Sequence, residues 1–159
     1  MMTLTVPCLF GLESLVADEM RRLGLQEVRA ENGRVRCRGT EADIPRLNLN
    51  LRCGQRVLLE LGSFPAGDFD ALFEGTRALP WEHFIPRDGE FPVKGYSLQS
   101  ALHSVPACQA IVKKAVARRL GQVYGLETLP ETAGRYQIQF SLVKDVAALY
   151  LDTSGEALH

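Results

Sequence analysis

The residues best suited to chemistry lie between Lys94 and Arg118, and the chemistry they suit is the binding of an anion. The run Lys94-Gly95-Tyr96-Ser97-Leu98-Gln99-Ser100-Ala101-Leu102-His103-Ser104-Val105-Pro106 brings hydroxyls, an amide, an imidazole and a lysine to the start of a helical pattern. Ser104 suits an N-cap and Pro106 a first helical turn. The backbone N–H groups that follow, backed by the helix dipole, would favour a phosphate. Further on, Lys114 and Arg118 stand four residues apart with Lys113 beside them, so the three charges are expected to border one groove. The opposite side of the helix is the apolar stripe of Cys108, Ile111, Val112, Ala115, Val116 and Leu120. Arg119 falls nearer that stripe, where its stem can lie along apolar surface. From Phe91 through Leu126 there is no Asp or Glu, and the acids stand outside at Asp88, Glu90, Glu127 and Glu131. A mixed-sign surface would serve solubility equally well, so this asymmetry points to a groove for a phosphate backbone, which fixes position on a nucleic acid without reading bases. For any one residue the plainer alternative is a solvated position on an amphipathic helix with an ordinary serine cap.

Other residues carry weaker signals. Arg34, Arg36 and Arg38 alternate along one strand, so they share a face while Val35 and Cys37 point the other way. They form a secondary basic strip, or the ordinary polar face of a half-buried sheet paired with Glu27, Glu31 or Glu41. Trp81, beside Pro80 and close to Phe84, reads as a packing anchor before it reads as a base-stacking platform. Cys8, Cys37, Cys53 and Cys108 are scattered singly, with no C-x-x-C pair, and read as reduced structural thiols and not as metal ligands. His103 and Cys108 are poorly spaced for a nucleophile and its base, and no Gly-rich nucleotide loop is present. Neither catalytic nor metal residues are expected.

The elements that position these groups follow from periodicity. The 159 residues, 46% hydrophobic and 23% charged, suffice for one domain or two small ones, and a formal net charge of -1 means that any nucleic-acid site must come from charge distribution. Apolar runs are far too short to span a bilayer, and the first residues lack a basic, then apolar leader, so a cytoplasmic, non-membrane protein is expected. A strand over Thr3 to Leu9 precedes a helix from Leu12 to Leu23. A hairpin then turns at Asn32-Gly33, a short helix runs from Ala42 to Leu51 with Pro45 in its first turn, and a strand covers Arg56 to Phe64. The order βαββαβ is the ferredoxin-like pattern, two helices on one face of a sheet. Phe64-Pro65-Ala66-Gly67 marks a boundary. Beyond it come a helix from Phe69 to Leu79, an extended segment from Phe91 to Tyr96, a long helix from Pro106 to Tyr124, and strands over Arg135 to Leu142 and Val146 to Leu151. The expected class is α+β, with a first subdomain over 1–65 and a second, α/β, over 66–154. The polar run at 155–159 would begin a linker, and the chain reads as cut there.

Several stretches resemble one family: Phe10-Gly11-Leu12-Glu13, Glu31-Asn32-Gly33-Arg34-Val35, Leu79-Pro80-Trp81-Glu82-His83-Phe84-Ile85-Pro86, the run Ser100 to Ala115, Lys144-Asp145-Val146-Ala147, and Asp152 to His159. Together they are similar to the N-terminal ferredoxin-like plus THUMP region of the bacterial S-adenosylmethionine-dependent 23S rRNA guanine-N2 methyltransferases, often labelled N6-adenine-specific DNA methylases. The resemblance implies a module that grips structured RNA, large-subunit rRNA above all, and presents a base to a following methyltransferase domain that holds the S-adenosylmethionine. The Asn/Asp-Pro-Pro-aromatic motif of that domain has no counterpart here, since no two prolines are adjacent. Motif and charge together nominate Lys94, Ser97, Ser100, His103, Ser104, Gln109, Lys113 and Lys114 as RNA-facing, with Arg118 and Arg135 as additions. Ala107 departs from the family pattern, which has an acidic residue there. A ligand-sensing or protein-interaction domain on a ferredoxin-like scaffold is the competing reading. An acylphosphatase-type hydrolase lacks its anion loop at Phe10-Gly11-Leu12-Glu13.

Overall fold

The computed structural model describes residues 1–50 and 56–153. Leu51, Cys53 and the stretch expected to begin a linker at 155–159 lie outside the described residues. The chain forms two compact units, Met1–Glu60 joined by the chain from Asp152, and Leu61–Leu151. Both are mixtures of strand and helix, so the fold is α+β.

In the first unit, β1 (Met2–Pro7), α1 (Glu13–Arg22), β2 (Gln26–Glu31), β3 (Arg34–Gly39), α2 (Asp43–Asn50) and the start of β4 (Leu58–Pro65), as far as Glu60, follow one another, and the strands are ordered β2-β3-β1-β4. This is the expected βαββαβ. Strand alternation sends Leu4 and Val6 of β1, with Val35 and Cys37 of β3, into the core, where they meet Val16, Ala17 and Met20 of α1 and Ile44 and Leu47 of α2 in the fully buried set. The hairpin turns where Asn32-Gly33 predicts it, with Gly33 at φ 76°, a conformation that side chains with a Cβ resist. Leu12 gives α1 no side-chain cap. The Glu13 carboxylate instead accepts the Gly11 N–H at 2.6 Å and the Gly33 N–H at 3.1 Å, tying the helix start to the hairpin turn. The Gly33 N–H foremost, then Glu13's own and that of Gly11, hold the carboxyl below its usual range.

The second unit contains α3 (Phe69–Arg77), a 3-10 turn (Trp81–His83), β5 (Val93–Leu98), α4 (Val105–Tyr124), β6 (Ile138–Val143) and β7 (Val146–Asp152) up to Leu151, the final Asp152 belonging to the first unit. β5 runs parallel to β6, and β6 and β7 form a hairpin whose turn residues, Lys144 and Asp145, both have positive φ. Asp68 caps α3 by accepting the Ala71 N–H at 2.7 Å. Trp81 is fully buried, and its Nε1 donates to the Thr76 carbonyl at 2.8 Å, which makes it the packing anchor the sequence suggested. Two boundaries move. β5 starts at Val93 because Pro92 has no N–H to give a ladder. Arg135 lies outside β6 and touches Glu90 through a single bridge.

Candidate nucleic-acid interface

Helix α4 opens as its sequence implies. Ser104 accepts the Ala107 N–H at 3.4 Å, Pro106 sits in the first turn, and Gly125 closes the helix in the left-handed conformation. Cys108, Val112, Ala115, Val116 and Leu120 are buried, so the side facing solvent is fixed. Lys114 and Arg118 stand on that exposed side, and neither forms an ion pair with any described residue. They line a groove of about 380 Å³ with Ala117, Gly121, Gln122 and Glu127. Gly121 lets the following segment close against the helix, since a Cβ there would lie 2.7 Å from the Leu126 carbonyl oxygen.

Lys113 does not share this groove. One residue is about 100° around a helix, and that rotation carries Lys113 Nζ to the Phe91 carbonyl at 3.0 Å, to Glu131 Oε1 at 2.6 Å and over the Phe91 ring at 3.7 Å. Burial pushes the Glu131 carboxyl up, but the Lys113 ammonium and the Phe91 N–H outweigh it and hold it below the usual range. Arg119 forks onto Glu82, with contacts at 2.9 and 2.6 Å. That bond holds Glu82 low and raises Arg119. The stretch without acids from Phe91 to Leu126 is therefore not free of acid in space, because Glu82 and Glu131 fold back onto it.

The loop ahead of α4 is tied down. Ser97 Oγ donates to the Leu102 carbonyl at 2.6 Å, Ser100 Oγ donates to the Leu98 carbonyl at 3.0 Å, and His103 Nδ1 lies 3.1 Å from the Ala101 carbonyl. Asp145 accepts the Ala101 N–H at 2.8 Å and donates its own N–H to Ser100 Oγ at 3.0 Å, pinning this loop to the β6–β7 turn. Gln109 is half-buried, whereas Lys94 on β5 and Arg135 are exposed and make no ion pair with a described residue. The predicted residues thus divide into a braced loop (Ser97, Ser100, His103, Ser104), an internal latch (Lys113), and solvent-facing cations (Lys94, Lys114, Arg118, Arg135). Asp145, Glu131 and Gln122 were missed. Asp145 stood in a recognised motif, Lys144-Asp145-Val146-Ala147, but nothing in sequence joined it to Ser100.

In the first unit Arg36 reaches Glu60 at 2.6 Å and Glu31 at 3.9 Å, Arg34 reaches Glu31 at 3.3 Å, and Arg38 lies 3.9 Å from Glu27. The basic strip is paired as its plainer reading expected, though Glu60 and not Glu41 completes it. Burial, aided by Asp43, pushes the Cys37 thiol up to about 12, and burial also raises Cys8 and Cys108. These thiols stay protonated and inert. No metal-binding cluster occurs among the described residues.

The RlmL ferredoxin-like domain family matches residues 3–58, and the THUMP domain family matches residues 66–152. The chain belongs to the THUMP family. THUMP domains bind RNA, and the curated relatives include rRNA methyltransferases. The chain is 44% identical over 159 residues to the Bacillus subtilis (strain 168) protein named "Putative RNA methyltransferase YpsC", covering 99% of this chain and 41% of that protein. It is 33% identical over 158 residues to the ribosomal RNA large subunit methyltransferase K/L of Stutzerimonas stutzeri (strain A1501), covering 98% of this chain and 22% of that one. Among solved structures it matches "SMU.472, a putative methyltransferase complexed with SAH" with a TM-score of 0.90 and 38% identity over 95% of this chain and 41% of that one. The chain thus spans well under half the length of these relatives. No helix among the described residues is long and apolar enough to cross a membrane.

Proposed function

We propose that this chain is the RNA-binding part of an S-adenosylmethionine-dependent rRNA guanine-N2 methyltransferase, gripping structured large-subunit rRNA and presenting the target base to a catalytic domain outside residues 1–159. The ferredoxin-like subdomain would occupy 1–65, the THUMP domain 66–154, and a linker would begin at 155–159. The observation that carries the reading is the pair Lys114 and Arg118, exposed and unneutralised on α4 within the THUMP match and lining one groove. Like charges one helical turn apart repel, so their retention on one ridge favours an anionic partner. Lys94 and Arg135 supply further contacts, and the braced loop of Ser97, Ser100, His103 and Ser104, with Gln109 behind it, holds the entry to α4 in shape. S-adenosylmethionine belongs to the catalytic domain.

The test is binding of this chain to structured large-subunit rRNA across a salt series, beside the double variant Lys114→Ala/Arg118→Ala. The expected result is salt-sensitive binding whose log–log slope becomes shallower by about 1.5 in the variant, two phosphate contacts being lost. Binding that the variant leaves unchanged would move the RNA site off α4. An absence of salt-dependent binding at low salt would overturn the reading.

A further inference from the structure

The open face of the first sheet carries a second cluster of cations with unusual features. Its residues are set by strand alternation: Thr3 and Thr5 on β1, Arg36 and Arg38 on β3, and Arg29 and Glu31 on the edge strand β2. Arg29 stands directly opposite Arg36 in the β2–β3 register. Like charges in that relation destabilise a sheet, and Arg29 is exposed with no ion pair to any described residue.

A β-bulge lies next to it. Counted regularly from the Asn32-Gly33 turn, Glu27 would oppose Arg38 and neutralise it. The register instead shifts between Gln26 and Arg29, so that Gln26 opposes Arg38. Glu27 takes a φ of 51°, costly for a residue with a Cβ, and its carboxylate is left 3.9 Å from Arg38 Nε. The strand therefore accepts backbone strain, and the Glu27–Arg38 ion pair is kept only at its long, half-exposed reach. At the neighbouring rung, formed by Thr5 and Arg36, Thr5 Oγ1 and Arg36 Nε are buried with no hydrogen-bond partner among the described residues, as is Glu31 Oε2 on the same face. Buried polar atoms in native proteins are otherwise nearly always bonded. A groove of about 290 Å³ lies on this face, lined by Arg29, Arg36 and Arg38 together with Glu27, Glu31 and Thr3. Every lysine of the chain lies at or beyond position 94, so the first unit works with arginine alone, whose planar fork matches two oxygens of a phosphate.

We infer that this face is a second phosphodiester-binding surface, on which Arg29 and Arg38 grip the RNA backbone while Arg36, held by Glu60, stays part of the sheet. The inference rests on the reading of the chain as an RNA-binding module and adds a site with different cations on the other unit. Arg29 has no partner to abandon, so Arg29→Ala leaves the fold intact. The RNA salt series on the full chain is expected to lose about 0.7 to 0.9 of slope in Arg29→Ala and about twice that in Arg29→Ala/Arg38→Ala. Arg29→Glu separates function from structure. It replaces a repulsive cross-strand pair with an attractive one, so the thermal midpoint should rise by about 2 °C while RNA affinity falls further than in Arg29→Ala. A merely structural role for Arg29 would move both readouts together. If these variants keep the full slope while Lys114→Ala/Arg118→Ala lowers it, the open face is not an RNA surface and the site on α4 stands alone. If the unaltered chain shows no salt-dependent binding, both readings fall.

Discussion

The two units treat their positive charges in opposite ways. In the first, Arg36 is fastened to Glu60, Arg46 to Asp43 and Arg56 to the buried Asp152, so most guanidinium groups have a carboxylate within the same unit. In the second, Arg119 and Lys113 turn inward to Glu82 and Glu131, while Lys94, Lys114, Arg118 and Arg135 meet no described carboxylate. The difference follows from local geometry. The β2–β3 hairpin sets side chains of neighbouring strands about 5 Å apart, so Glu31 meets Arg34 and Arg36 across it and Glu27 meets Arg38. A helix with no acid on its outer face brings like charges together every fourth residue and leaves only solvent or a partner to answer them. Paired arginines stabilise the module, and unpaired cations are available to a ligand.

The sharpest way to break this comparison is to remove one cation of each kind. Arg36→Ala leaves Glu60, whose side chain is only 11% exposed, without its hydrogen-bonded partner, and should cost about 1–3 kcal/mol in urea unfolding. Arg118→Ala should change stability by no more than about 0.5 kcal/mol. Equal losses in the two variants would mean that pairing does not distinguish the units.

Periodicity made much of this fold legible. The strand at Leu4, the helix around Val16 and Met20, the turn at Asn32-Gly33 and the helix capped by Ser104 all follow from patterns within about twenty residues. What sequence could not supply was the pairing of side chains distant along the chain. Glu131 lies eighteen residues from Lys113 and adopts a positive φ that no local rule anticipates, yet it turns that lysine away from the groove. Asp145 lies more than forty residues from the loop it braces. The bulge at Glu27 is equally silent, because the strand on either side of it reads as regular alternation. The candidate site was therefore readable as a helix and a set of cations, but the division between cations held internally and cations left free was not.

The neighbours Lys113 and Lys114 sharpen the comparison within a single helix. Lys113→Ala removes a charge-assisted bond and a cation–π contact and should destabilise the chain by about 1 kcal/mol with the RNA salt slope unchanged. Lys114→Ala should leave the thermal midpoint in place and make the slope shallower by about 0.7 to 0.9. The same slope change in both variants would show that Lys113 leaves Glu131 to meet RNA.

The smallest effect concerns acid. Glu131 is held below the ordinary carboxylate range by Lys113 and the Phe91 N–H despite its burial. A carboxyl lowered in the folded state contributes stability that is fully present above its unfolded value near 4.5 and is lost as pH falls through the lower, folded value. Glu131→Gln should therefore melt below the unaltered chain at pH 7, because the amide keeps the size of the side chain but not its charge. As pH drops below about 4.5 the unfolded chain takes up the proton first and the folded carboxylate follows at a lower pH, so the two melting temperatures should draw together. Melting curves at pH 7, 5 and 3.5 suffice to see this. A gap that stays constant across that range would show that Glu131 stabilises the segment through shape and hydrogen bonding alone, and that Lys113 is held by the Phe91 carbonyl and ring instead of by charge.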